Sequence, residues 1–152
     1  MKRYITLIFI LTIIIFSSFF LKINRTGNDK IDDWGVTLSV KGVTPTSATV
    51  VWTQHGGNPT GSLQTGSYYI IEKLEDGNWK ALNYAVPDKD RIGWTLEAWL
   101  IPFDSSVEWK HEWEWLYGHL SIGKYRIGKE ITYFKETGIY DSKIYYAEFD
   151  IK

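Results

Sequence analysis

Leu120-Ser121-Ile122-Gly123-Lys124-Tyr125-Arg126-Ile127 is the stretch that decides the fold. It reads as a tight turn feeding a strand, with a tyrosine at the strand's start. Gly123 can take a positive φ, and Leu120 can cap a core from the turn. A tyrosine in this place can send its hydroxyl back to the backbone a few residues upstream, which makes the corner of a two-sheet sandwich. A plain hairpin with an inward tyrosine would carry the same letters, because Gly-x-Tyr recurs in β proteins. The flanking chain decides between the two.

Downstream, Ile144–Ile151 places Tyr145, Ala147, Phe149 and Ile151 on one face, with Tyr146 outward. Upstream, Val107–Trp115 alternates throughout. Val107, Trp109, His111, Trp113 and Trp115 share one face, and Glu108, Lys110, Glu112 and Glu114 share the other. A helix would scatter these groups, whereas a strand sorts them. Trp94–Leu100 reads as a strand with Trp94, Leu96, Ala98 and Leu100 on one face and Trp99 opposite, beside Thr95 and Glu97. Tyr68–Leu74 and Trp79–Tyr84 flank Glu75-Asp76-Gly77-Asn78, and Asp-Gly between apolar strands is a strong hairpin signal. Val36–Val40 and Ala48–Thr53 open the set, separated by a turn at Pro45. Eight strands at regular spacing, with no amphipathic helix, predict an all-β antiparallel sandwich or barrel.

His55–Gly66 interrupts the pattern. Four glycines and Pro59 in this stretch predict a long loop without regular structure. It lacks the Gly-Lys-Ser/Thr of a phosphate-binding loop. An ordered connector between the sheets explains it, and a binding loop does so too.

The 152 residues are 44% hydrophobic and 16% aromatic, with 8 Trp and 10 Tyr. That suffices for one domain with a real core, and the aromatic excess favours strands. No cysteine is present, which excludes disulfides, a thiol nucleophile, a cysteine zinc site and a cysteine lipid anchor. Net charge is −1. Without residues 1–29, which carry Lys2, Arg3, Lys22, Arg25 and Asp29, 13 basic and 17 acidic residues remain, a net of −4. An acidic body argues against nucleic acid as a partner.

Met1-Lys2-Arg3 precedes an uncharged apolar run from Tyr4 to Leu21, about long enough to cross a bilayer as a helix. A secretory signal would have a shorter apolar region and small residues before its cleavage site, where this chain has Phe19-Phe20-Leu21. The expectation is an uncleaved signal-anchor over 1–23, a linker over 24–33, and a β-sandwich over 34–152 outside the cytoplasm. The body would be secreted if the segment is cleaved.

Gly56-Gly57-Asn58-Pro59-Thr60-Gly61-x-Leu63-Gln64-Thr65-Gly66 and Trp113-Glu-Trp115-Leu-Tyr117-Gly118 continue into Gly123-Lys-Tyr125-Arg-Ile127-Gly-Lys-Glu130 and Tyr145-Tyr146-Ala-Glu-Phe149. Together these blocks resemble a bacterial immunoglobulin-like domain family of Gram-positive exported or membrane-anchored proteins, across residues 33–152. The resemblance implies an immunoglobulin/fibronectin-III-like antiparallel β-sandwich, preceded here by one N-terminal transmembrane helix. It implies no established activity and no catalytic residues.

The residues themselves point the same way. His55, His111 and His119 lack metal-ligand spacing, and His111 on an aromatic face reads as a packed histidine. Glu112 and Glu114 read as a solvated strand face rather than a catalytic pair across a cleft. No Gly-x-Ser-x-Gly elbow occurs. The expected function is therefore a membrane-anchored extracytoplasmic binding or structural module of the envelope, without catalysis, cofactor or metal. The alternative is an exported carbohydrate-binding accessory module that uses surface aromatic residues. Candidate binding residues are His55, Asn58, Pro59, Thr60, Gln64 and Trp99. Leu120, Gly123 and Tyr125 are the candidate structural corner. The expected partners are the membrane, through the N-terminal helix, and an envelope protein or glycan.

Overall fold

The computed structural model describes residues 32–57, 59–87 and 92–152. The expected membrane segment over 1–23 lies outside them, as does most of the linker. Among the described residues, no helix is long and apolar enough to cross a membrane. The elements in order are β1 (Val36–Thr44), β2 (Ser47–Gln54), β3 (Ser62–Thr65), β4 (Ile70–Glu75), β5 (Asn78–Ala81), β6 (Trp99–Ile101), β7 (Ser105–Glu112), α1 (Glu114–Tyr117), β8 (Gly123–Glu136) and β9 (Ile139–Ile151).

Two antiparallel sheets result. The smaller has the order β1-β2-β7. The larger is built around β8. Along one edge of β8 runs β9, joined through a two-residue loop at Thr137-Gly138. The other edge is shared end to end. Tyr125–Gly128 pair with β4, and Ile131–Phe134 pair with β3. Beyond these lie β5 next to β4 and β6 next to β3. The β4–β5 hairpin turns on Asp76 and Gly77, both at positive φ, as a two-residue loop between twisted strands requires.

Period-two patterning gives each sheet its inner face. Ala48, Val50 and Trp52 from β2 meet Leu63, Ile71, Ile127, Ile131, Ala147 and Phe149 from the larger sheet, all buried. Each such aliphatic side chain contributes about 1.5–3 kcal/mol by leaving water. Rings bridge the layers: Trp34 packs on Tyr133 at 5.4 Å, and Trp113 on Phe149 at 5.6 Å.

At the corner, Leu120 and Tyr125 are buried, and the Tyr125 hydroxyl donates to the Ser121 carbonyl at 2.8 Å. Gly123 has φ +156°, and a Cβ there would sit 3.1 Å from Lys73 Cε and 3.4 Å from the Tyr125 ring. Tyr125→Phe leaves that carbonyl without its donor. It is expected to cost about 1–2 kcal/mol in denaturant unfolding. An unchanged midpoint would mean that the bond contributes nothing.

The structure corrects several boundaries. Among the described residues there are nine strands rather than eight, and one helical turn. The stretch 55–66 is not wholly irregular, because Ser62–Thr65 forms β3 between β6 and β8. The Trp79–Tyr84 strand stops at Ala81. Of Trp94–Leu100 only Trp99 and Leu100 are in a strand, because β3 ends at Thr65 and leaves earlier residues no ladder to join. The faces there are also reversed. Trp99 and Ile101 turn inward, while Leu96 and Leu100 are exposed. The strand predicted over Val107–Trp115 ends at Glu112, opposite Ser47, where β2 begins and its pairing runs out, and the alternation of faces holds through Glu114 and fails at Trp115. Trp113 then turns its indole into the core, with Nε1 donating to the Pro45 carbonyl at 2.9 Å, and α1 follows.

Candidate functional site

The shared edge of β8 creates the most unusual feature of the interior. Between the segments paired to β4 and to β3 lie Lys129 and Glu130, where the chain crosses through Gly66–Tyr69 without a ladder. Lys129 continues the inward set Tyr125, Ile127, Ile131 and Tyr133, so its side chain enters the core and is fully buried. Its ammonium donates to the Gly66 carbonyl and, at 2.7 Å, to the Tyr68 carbonyl. It thereby occupies acceptors that strand pairing leaves free. The Trp52 and Trp99 rings lie 5.8 Å away, within cation–π range. Burial pushes the Lys129 ammonium down to about 7.

Beside this lysine, β7 and β6 assemble an aromatic wall. Trp99 stacks on Trp109 at 5.1 Å and 24°, and Trp109 meets the Trp52 edge at 4.9 Å. His111 is buried between Trp52 and Tyr69. Burial, and secondly the Lys129 charge, push it down to about 4, so its imidazole is neutral. Its Nε2 has no hydrogen-bond partner among the described residues. Tyr69 packs against Trp94 at 5.4 Å, and burial raises its hydroxyl well above the usual range. Trp94 in turn leans on Trp115 at 6.1 Å.

These rings line an open cleft of about 390 Å³ on the body's surface, with Ser67, Thr95, Lys110 and Glu112 among its polar lining. Trp115 is there because α1 follows Trp113. One helical turn swings the next tryptophan outward, leaving it 52% exposed while Leu116 and Tyr117 are buried. A second depression of about 390 Å³ shares Lys110, Glu112 and Trp115 and adds Thr46, Ser47 and Glu114. The two adjoin at these three residues, a groove in two parts beside Trp115. Lys110 pairs with Glu112 at 2.5 Å and holds that carboxyl below its ordinary range. Aromatic faces with a hydroxyl and carboxylate border suit binding. Of the titratable groups that line the cleft, His111 and Tyr69 are neutral and packed and Lys110 and Glu112 are an exposed ion pair, and among the described residues no group of three His, Asp or Glu side chains could hold a metal ion.

The residues singled out from sequence fall in separate places. His55 is exposed, 3.3 Å from Asp104, beside the start of the body. Its backbone N–H donates to the Gly35 carbonyl. The Gln54 side chain ties the same region together by donating to the Trp34 and Gly56 carbonyls and accepting from Asp104 N–H. Thr60 N–H and Gly61 N–H donate to the Tyr133 hydroxyl. Gln64, on β3, donates to Ser62 Oγ at 2.9 Å and lines a shallow depression with Glu130 and Thr132. Pro59 stays in the connector, and Asn58 lies outside the described residues. Among the described candidates, only Trp99 reaches the aromatic cleft. Sequence reading missed Lys129, although its place in the odd-numbered inward set of β8 was a usable signal. It also missed that Trp94, Trp109 and Trp115 converge.

Compared with known protein families, residues 32–150 match the model described as a bacterial Ig-like domain. No curated protein and no solved structure matches the chain.

Proposed function

The chain belongs to the bacterial Ig-like domain family, and we propose that it is a membrane-anchored, extracytoplasmic binding module of the cell envelope that holds its partner in the aromatic cleft and catalyses no reaction. The basic start and the apolar run Tyr4–Leu21 support the anchor and the outward placement of the body. The observation that carries the binding reading is the cleft with Trp115 half exposed at its mouth. Exposed aromatic residues that continue a lined cleft mark interaction sites. A sandwich can bind with a sheet face and loops alone.

Capture experiments test this. The tagged full chain would be crosslinked in intact envelopes as wild type, as Trp94→Ala/Trp115→Ala, and as Pro59→Ala/Thr60→Ala/Gln64→Ala. The expected result is that the tryptophan variant loses its partner, while the loop variant keeps it. Loss in the loop variant alone would move the site to the His55–Gly66 connector. Equal capture by all three would make the domain a spacer.

A further inference from the structure

We infer that the groove past Trp115 takes an uncharged glycan chain. This inference rests on the cleft being the binding site and asks what chemistry fits it. Ionic ligands fit poorly. Lys110 is the only cationic side chain among the described residues lining the groove, and Glu112 already neutralises it at 2.5 Å. Lys129 is buried behind the wall with its ammonium on two carbonyls. Glu114 adds a further carboxylate to the lining. An anionic polymer would therefore meet net negative charge.

An organic cation fits no better. An aromatic cage holds the cation within about 6 Å of each ring centroid, so opposed rings stand on the order of 10 Å apart. Neighbouring rings here pack on one another, at 5.1 Å for Trp99–Trp109, 5.4 Å for Tyr69–Trp94 and 6.1 Å for Trp94–Trp115. They make a packed run of rings, with 24°, 76° and 59° between the planes of these pairs, and none of the three pairs leaves a cation-sized gap.

A run of indoles offers apolar faces, and its edge offers the Thr46 hydroxyl and the carboxylates of Glu112 and Glu114, while the buried Ser47 hydroxyl already bonds to Thr44 Oγ1 at 2.9 Å. A sugar ring presents the matching surface. Its C–H face is apolar and flat enough to lie on an indole, while hydroxyls around its rim donate to carboxylates and exchange bonds with Thr. The groove's extension beyond Trp115 into the second depression provides for more than one sugar unit. A proline-rich peptide shares the preference for aromatic walls but offers few donors to the acceptors along this edge.

The test titrates the full chain, in a detergent without a sugar headgroup, with chitotetraose, cellotetraose, polygalacturonate and a proline-rich decapeptide, read by calorimetry. One of the two neutral tetrasaccharides is expected to bind, with polygalacturonate at least tenfold weaker and the peptide silent. Trp115→Ala is expected to weaken the tetrasaccharide about tenfold, a loss of about 1.4 kcal/mol, without moving the denaturation midpoint, because that side chain is half in water. Binding of the peptide or of polygalacturonate in place of the neutral sugars would overturn the inference, as would a Trp115→Ala variant that binds the sugar normally. If no sugar binds but partner capture still depends on Trp94 and Trp115, the glycan assignment fails and the binding-module reading survives. If capture is independent of them as well, both fail.

Discussion

Trp113→Ala is expected to lower the stability of the body by about 3–5 kcal/mol, the range for emptying a buried tryptophan site. The indole is fully buried and stacks on Phe149, so it links the end of the smaller sheet to β9 in the larger one. Its Nε1 donates to the Pro45 carbonyl, and its own backbone N–H donates to the Thr46 carbonyl at 2.9 Å. The truncation therefore removes packing between layers and one of the bonds that fix the β1–β2 turn. The Pro45 carbonyl keeps a second donor, Leu120 N–H, so it is not left bare and the loss is mainly that of the cavity. Against a total stability of about 5–15 kcal/mol, this is enough to unfold a substantial fraction of molecules on mild warming. Urea unfolding followed by tryptophan fluorescence measures it. Trp115→Ala, two residues on, is the matched control and should change stability by less than about 0.5 kcal/mol. Equal midpoints for the two variants would show that Trp113 does not bind the layers together.

That contrast also shows where the sequence was legible. Trp113 and Trp115 occupy the same face in a period-two reading, yet one is the floor of the core and the other the mouth of the cleft. The pattern was sound through Glu114, since Trp109, His111 and Trp113 all face inward, although the strand itself stops at Glu112. What ended it was the length of β2, a property of the partner strand that no local pattern contains. The same physics shortened Trp94–Leu100 to β6 and turned Trp99 inward, because β3 offers only four residues to pair with. The two-sheet architecture was legible because β1, β2, β7 and the later part of β9 each alternate on their own, and the Asp76-Gly77 turn marks β4 and β5. The Leu120–Ile127 segment was legible because the hydroxyl of Tyr125 bonds to the carbonyl of Ser121, only four residues back, and local geometry can be read locally. The cleft was not legible. It needs rings from β6, β7, α1 and the two connecting segments, and their convergence follows from β3 and β4 sharing one edge of β8.

Lys129 is where that shared edge has its largest measurable consequence. Wild-type stability is expected to rise as pH increases from about 7 to about 10, with a slope of up to about 1.4 kcal/mol per pH unit. The buried ammonium gives up its proton near 7 in the folded state, whereas an unfolded chain holds it to 10.5. Between those values the unfolded state binds more protons, so raising the pH favours folding. Below 7 both states carry the proton, and this contribution is flat. His111 acts in a separate window. It is pushed down to about 4 when folded, against 6.5 unfolded, so stability should also rise between about 4 and 6.5, and this contribution is flat below about 4 and above about 6.5. Above about 10 the sign reverses, since burial raises the hydroxyls of Tyr69, Tyr117 and Tyr145 and the unfolded chain loses those protons first. Lys129→Met removes the titrating group and should flatten the segment from 7 to 10, while the His111 segment persists through burial but shortens at its acid end, because the Lys129 charge that helps push His111 down is gone. Urea midpoints collected at half-unit intervals from pH 4 to 10 measure both. A wild-type curve that is already flat between 7 and 10 would mean that the Gly66 and Tyr68 carbonyls hold the ammonium charged throughout, and that its bonds to them outweigh the cost of its burial.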